Sequence, residues 1–346
     1  MNKQLKRQPD YEQFLKVLWR KGKPSHLPFY EHLASPGFIA ERTGTDYDKM
    51  TPDNDEYWRI YVDFWIGMGY DCIPMEIGLN CPLPVGHGAL SEGSEAHVIF
   101  RTMEDYEKYP WPSLENPIEF RHFETVAKLL PEGAKIVGGV AAGPYEWLSM
   151  MMGTIGLSYA MLDEPELVEL VAGRIGALHH SADRQLATMD SICALRQGDD
   201  LGFKTSTFLS PDDLRHFIFP TYKAMAEEAH KASKPFILHS CGNLREVYDD
   251  LIDYCKIDAK HSFEDIILPV ADFKKMYGTR VTPLGGLDVD VICRSSEEDV
   301  RKYARTKIEE CFYDGYWALG TGNSLTNYMP VSNYIAVLEE GIKITG

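Results

Sequence analysis

The sequence predicts a (β/α)8 barrel, one domain over residues 1–346 with an N-terminal helical extension, and three observations carry that expectation. Eight short apolar segments are each followed by a helical pattern. None is joined to its neighbour by a hairpin turn, so the alternation implies a parallel sheet, and eight units favour a closed barrel over an open doubly wound sheet. Polar residues stand just past the C-terminal ends of the apolar segments, where a barrel of this kind gathers its reactive groups.

The elements follow in order. Residues 10–22 place Phe14, Val17 and Leu18 at helical spacing, and Gly22 and Pro24 end the pattern. Residues 27–31 are the first strand, 56–69 a helix and 70–78 the second strand. Residues 79–101 hold several Gly and Pro, His87 and a hairpin strand at 97–101; a connection this long is expected to be either a lid over the site or a structural excursion. Strand three is 135–140, running into a glycine-rich turn and a helix start at Tyr145. Residues 163–188 form one long helix, with Glu164 and Glu166 in its first turn as the dipole prefers. Strand four is 191–195, ending in Asp199 and Asp200.

Ser210-Pro211-Asp212-Asp213 opens the next helix: Ser as N-cap, Pro at the first helical position, acids in the first turn. Strand five begins at 235. A helix over 244–255, strand six at 257–264, a helix at 267–278 and strand seven at 280–286 come next. Ser295 and Glu298 are read as a capping box for a helix over 296–311. Strand eight is 316–319, leading to Thr321 and Asn323, and a helix over 331–343 closes the chain.

Bulk composition narrows the function. The 346 residues are 44% hydrophobic and 25% charged, as in globular enzymes. A net charge of −17 excludes nucleic acid as the main partner, because phosphate binding needs a basic surface. No apolar run approaches the roughly 18 residues that span a bilayer, so no membrane partner is expected. The N-terminus lacks a signal-peptide core. Seven scattered cysteines without a Cys-x-x-Cys pair argue against a disulfide framework and for a cytoplasmic location.

The stretch Phe236-Ile-Leu-His-Ser-Cys-Gly242 organises the site. It reads as a buried strand that ends in two strong metal-ligand types, His239 and Cys241. Residues i and i+2 of an extended chain point to the same side, so imidazole and thiolate can meet one ion. The barrel would bring Glu76, Tyr145, Asp199, Asp200, His261, Glu264, Asp288, Thr321 and Asn323 to the same mouth.

Several segments resemble the uroporphyrinogen decarboxylase superfamily: GPYEWL, GDDLG with LSPDDLRHFIFPTYKAM, PFILHSCGN, the Gly285-Gly286-Leu287-Asp288 turn, and ALGTGN before the C-terminal helix. The resemblance spans about residues 10–345 and implies a (β/α)8 barrel with its cleft at the strand C-termini. True decarboxylases of that family are metal-free and hold the substrate's acetates with an Arg-Gln-Ala-Gly-Arg-Tyr signature, which the segment Phe29–Gly37 lacks. Their eighth-strand His is replaced by Thr321.

The chain is more similar to the other branch, the corrinoid-dependent methyltransferases, which include methylcobamide:coenzyme M methyltransferases and the methyltransferase components of O-demethylases. That resemblance implies zinc on a His-x-Cys pair, here His239 and Cys241, and a corrinoid protein as partner. The cysteine usual at strand eight is absent, Thr321 standing there. A carboxylate ligand in its place is implied by similarity to cobalamin-independent methionine synthase, with Glu264 as the third ligand and His261 as its rival.

The expectation is thus a zinc-dependent methyltransferase acting on a small methylated substrate, an ether or other non-thiol compound. Asp199, Asp200 and Tyr145 are the candidate catalytic residues, the two acids either binding substrate or orienting a ligand from behind. Glu76, His87, Thr321 and Asn323 are candidate substrate contacts. A metal-free lyase and a non-catalytic tetrapyrrole- or corrinoid-binding protein are the alternative readings.

Overall fold

The computed structural model describes residue 5, residues 7–83 and residues 98–345. Six regular strands, β1 Cys72–Gly78, β2 Lys135–Ala141, β3 Ile192–Gly198, β4 Phe236–His239, β5 Ala259–His261 and β6 Thr282–Pro283, pair in sequence order and always in parallel. The remaining two segments of the ring enter as single parallel bridges, Leu284 to Ala318 and Leu319 to Phe29. The eightfold alternation is therefore a TIM barrel, as the sequence predicts.

The interior is a packed core. Tyr30, Cys72, Val137, Cys193, Ile237, Ala259, Leu284 and Ala318, one from each of the eight segments, form a single buried cluster. Cys72 and Ala259 are the first residues of their strands, so this layer lies at the N-terminal ends. Phe14 and Leu18 of the helix Tyr11–Trp19 join the same cluster and plug that end of the barrel. The N-terminal extension thus closes the face opposite the strand C-termini.

A larger apolar shell fills the space between strands and surrounding helices. It includes the fully buried Trp65, Trp147 and Trp317. Two of their indole N–H groups are satisfied by strand-end carbonyls, Ala141 at 3.1 Å and Gly285 at 2.8 Å, as a buried donor requires.

Several elements differ from expectation for local reasons. The helix expected over 163–188 is Pro165–Leu186, with a separate helix Thr154–Asp163 before it; Pro165 at the first helical position marks the break. The helix expected over 244–255 is reduced to turns and one wide π-helical turn, Asp250–Tyr254. The cap of Glu297–Cys311 is Ser296, whose hydroxyl accepts from the Asp299 N–H; Ser295 closes the preceding helix Val289–Arg294 instead. Most of 79–101, including His87, lies outside the described residues. Of the hairpin strand expected at 97–101, residues 98–101 are irregular, and the N–H groups of Ile99 and Phe100 donate to the Met151 carbonyl.

Candidate metal centre

The ends of β3, β4 and β5 build the site. His239 is the last residue of β4 and stands opposite Gly198 of β3 and His261 of β5. Parallel pairing in register sends both imidazoles off neighbouring strands on one side, and their Nδ1 atoms meet at 2.7 Å. The other nitrogen of His261, Nε2, lies 2.9 Å from the Thr321 carbonyl. Cys241 follows two residues after His239, and its Sγ sits 3.6 Å from His239 Nε2. The chain then turns at Gly242, with φ of +89°, where a Cβ would lie 2.1 Å from the Gly202 carbonyl carbon; only glycine fits such a position.

The carboxylate that joins this pair is Asp200. One of its oxygens accepts the Cys241 N–H at 2.9 Å and stands 3.8 Å from His239 Nε2. The donor atoms of Asp200, His239 and Cys241 all lie within 4.8 Å of one another. Nitrogen, sulfur and carboxylate donors in one cluster are a set that zinc accepts.

Asp199 faces the other way. It accepts from the backbone N–H groups of Tyr145 and Glu146 at 2.9 Å each and from the Tyr222 hydroxyl at 2.6 Å. It therefore caps the helix Pro144–Met152, where a carboxylate meets free N–H groups and the positive end of the dipole. Successive residues of an extended chain leave opposite sides, so one acid of the pair stabilises a helix and the other reaches the mouth.

Glu264, expected as the third ligand, is not part of the cluster. Past β5 the chain brings Ser262 to the thiol instead, Oγ to Sγ 3.6 Å. Glu264 lines a neighbouring cavity of about 650 Å³ together with Asp288, Asn323 and Tyr328. His261, its expected rival, is outside the cluster as well, with Nδ1 against His239 and Nε2 against the Thr321 carbonyl.

The candidate substrate contacts divide similarly. Asn323 reaches the site, its Nδ2 donating to Cys241 Sγ at 3.3 Å. Thr321 does not line the mouth: it is fully buried, and its N–H and hydroxyl donate to Glu31 at 2.5 and 2.7 Å. Tyr145 is buried as well, with its ring stacked on Phe208. Glu76, at the end of β1, is held by Arg196 Nη2 at 2.7 Å.

Four residues of this region escape sequence reasoning. His32 lies flat on His239, centroids 3.7 Å apart and planes at 13°. Gly198 allows this, since a Cβ there would come within 2.8 Å of the His32 ring. Arg196 is fully buried in β3 and donates from Nη1 to the Nδ1 and carbonyl of His32. Glu31 is the buried acceptor behind Thr321 and also takes a hydrogen bond from the Tyr334 hydroxyl at 2.7 Å. Glu146 sits between the helix cap and the mouth, accepting the Gly143 N–H. A signal was present only for Glu31 and His32, two polar residues closing an otherwise apolar strand.

Burial governs the charges here. It holds His32 and His239 well below the ordinary imidazole value, helped by the neighbouring cationic groups, and takes His261 down to about 3. It lifts Glu31 to about 8, against the hydrogen bonds from Thr321 and Tyr334. Burial, and then the charge of Asp199, raises Glu146 to about 9. The Cys241 thiol is pushed up by burial and by the adjacent Asp200.

Polar donors gathered at the C-terminal mouth of a closed parallel barrel define an enzyme-type site. The chain belongs to the uroporphyrinogen decarboxylase (URO-D) family, which it matches over residues 36–342. Its fold is similar to that of a methyltransferase from Methanosarcina mazei, with a TM-score of 0.72 and 15% identity, covering 96% of this chain and 98% of that one. A structure described as a candidate vitamin-B12-independent methionine synthase of Listeria monocytogenes is more distant, with a TM-score of 0.44 and 13% identity over 93% of this chain and 97% of that one. No curated protein sequence matches the chain. No helix among the described residues is long and apolar enough to cross a membrane.

Proposed function

We propose that this protein is a zinc-dependent methyltransferase that moves a methyl group between a small methylated compound, a methyl ether in the first instance, and the corrinoid of a partner protein. The observation that carries the reading is the meeting of His239 Nε2, Cys241 Sγ and an Asp200 carboxylate oxygen within 4.8 Å of one another at the barrel mouth. These three side chains would hold the metal and leave a position for substrate, the arrangement of catalytic rather than structural zinc. Bound zinc supplies Lewis acidity toward the heteroatom that carries the methyl group.

The chain's own groups prepare the site. Asn323 directs an N–H at the sulfur, which favours the thiolate that a metal requires. The cavity beside Asn323, about 650 Å³, falls within the range of small-molecule sites. The Arg196 guanidinium at the mouth is already committed to Glu76 and His32, so it is not offered to the acetate groups of a porphyrinogen, which favours methyl transfer over decarboxylation. The C-terminal mouth is the face on which a corrinoid domain would dock.

Metal analysis tests the reading. One zinc per chain is expected, lost in a His239→Ala/Cys241→Ala variant and weakened by Asp200→Ala but not by Glu264→Ala. The zinc-loaded protein should methylate cob(I)alamin from aryl methyl ethers, followed by visible absorbance. Metal-free conversion of uroporphyrinogen by this chain would overturn the proposal.

A further inference from the structure

We infer that His261, aligned by Thr321, which Glu31 anchors, is a positioning residue that fixes the tautomer of His239 and so turns the bare Nε2 lone pair of His239 toward Cys241 and Asp200. Its value for metal binding rests on the zinc reading; the tautomer itself does not.

The chain of hydrogen bonds has a direction. The Tyr334 hydroxyl and the Thr321 N–H and hydroxyl converge on Glu31, at 2.7, 2.5 and 2.7 Å, and the Thr321 carbonyl accepts the Gly286 N–H at 2.9 Å, so Thr321 is held on both sides. The Thr321 carbonyl can only accept, so the His261 Nε2 at 2.9 Å carries a proton. His261 is fully buried, with Lys260 beside it in sequence, and a buried imidazole without a carboxylate partner is neutral. Its Nδ1 is then bare. His239 Nδ1 lies 2.7 Å away, and two bare nitrogens do not approach so closely, so His239 carries its proton on Nδ1. The Nε2 of a neutral His239 is left as a lone pair, 3.6 Å from Cys241 Sγ and 3.8 Å from Asp200. A neutral imidazole free in water prefers the proton on Nε2, so this relay inverts the ordinary preference. The other ring nitrogen of a metal-binding histidine commonly sets its tautomer in this way, and loss of such a partner costs about 10–100-fold in metal affinity.

The test uses the full-length, metal-free protein labelled with ¹⁵N at histidine. Long-range ¹H–¹⁵N spectra at pH 8 should show His239 as the Nδ1–H form and His261 as the Nε2–H form. In His261→Phe, which keeps a flat ring but no acceptor, His239 should shift toward Nε2–H. Zinc affinity, read by competition with a chromophoric chelator, should fall about 10–100-fold. His261→Asn places an oxygen near the lost Nδ1 and should keep both the tautomer and most of the affinity. A wild-type His239 protonated on Nε2 overturns the inference even if zinc binds. A wild-type His239 protonated on Nδ1 in a protein that takes no zinc upholds the relay and removes the zinc reading instead. If His261→Phe fails to fold, the wild-type and His261→Asn spectra still decide.

Discussion

The imidazole of His32 lies parallel to that of His239, 3.7 Å from centroid to centroid, one carried by the first barrel segment and the other by β4. Two protonated imidazoles do not stack at that distance in a buried site. Arg196 reinforces this by giving His32 Nδ1 an N–H at 2.9 Å, a bond that only an unprotonated nitrogen accepts. Both rings are consequently held neutral, and their pKa values lie well below 6.5.

The sign of the resulting pH dependence is fixed. A histidine whose folded pKa is depressed binds fewer protons in the folded state than in the unfolded chain, so stability is lost as pH falls below about 6.5. Each such group contributes up to about 1.4 kcal/mol per pH unit within its window. Urea unfolding of the metal-free protein between pH 7.5 and 5 should therefore show a shallower loss in His32→Phe than in wild type. The difference should approach the slope of one proton; an unchanged slope would contradict a neutral His32.

Glu31 works in the opposite direction. Its folded pKa, about 8, lies above the ordinary 4.5 because of burial. The unfolded state releases that proton first, so the contribution to stability falls as pH rises from 4.5 to about 8 and is level beyond it. Glu31→Gln cannot ionise. Relative to wild type it should gain a few kcal/mol between pH 5 and pH 9, measured by denaturant unfolding at each pH.

The barrel was legible in the sequence because its signal is repetitive. Apolar runs such as 135–140 and 191–195 have no competing reading, and their helices carry real caps, as at Ser210, whose hydroxyl accepts the Asp213 N–H. The same Ser-Pro signature at Ser35-Pro36 opens a helix, Pro36–Thr43, that sequence reasoning passed over because its apolar face is short. That His239 and Cys241 come together was legible because two residues apart in an extended chain is a local relation. That Asp200 joins them was not. Asp199 and Asp200 are adjacent in sequence, and only the helix end at Tyr145 and Glu146 decides which one it captures. Nor does the sequence show that Thr321 turns to Glu31, since that contact spans the closure of the ring.

Arg196 joins three segments of the barrel through Glu76 and the nitrogen and carbonyl of His32. Removing one member of a buried ion pair leaves the other uncompensated, at a cost of about 3–5 kcal/mol. Arg196→Leu should lower the stability of the fold by that order. Arg196→Leu/Glu76→Gln should recover part of it, because the stranded charge is gone. Thermal unfolding of the single and double variants checks this; equal losses would mean that the Glu76 pairing contributes nothing.

Chemical labelling separates Cys241 from the other thiols. Cys241 and Cys293 are partly accessible, whereas Cys72, Cys81, Cys193, Cys255 and Cys311 are buried. Iodoacetamide on the native, metal-free protein should therefore modify Cys241 and Cys293 first. Burial and Asp200 hold the Cys241 thiol in its protonated form, and the thiolate is the reactive species, so its labelling should be slow near pH 7 and accelerate toward pH 9. Zinc binding deprotonates the sulfur but occupies its lone pair, so stoichiometric zinc should protect Cys241 while leaving Cys293 unchanged. Peptide mapping by mass spectrometry reads both sites in one sample. Equal protection of the two cysteines would indicate a general closing of the fold, and equal labelling with and without zinc would remove Cys241 from the coordination set.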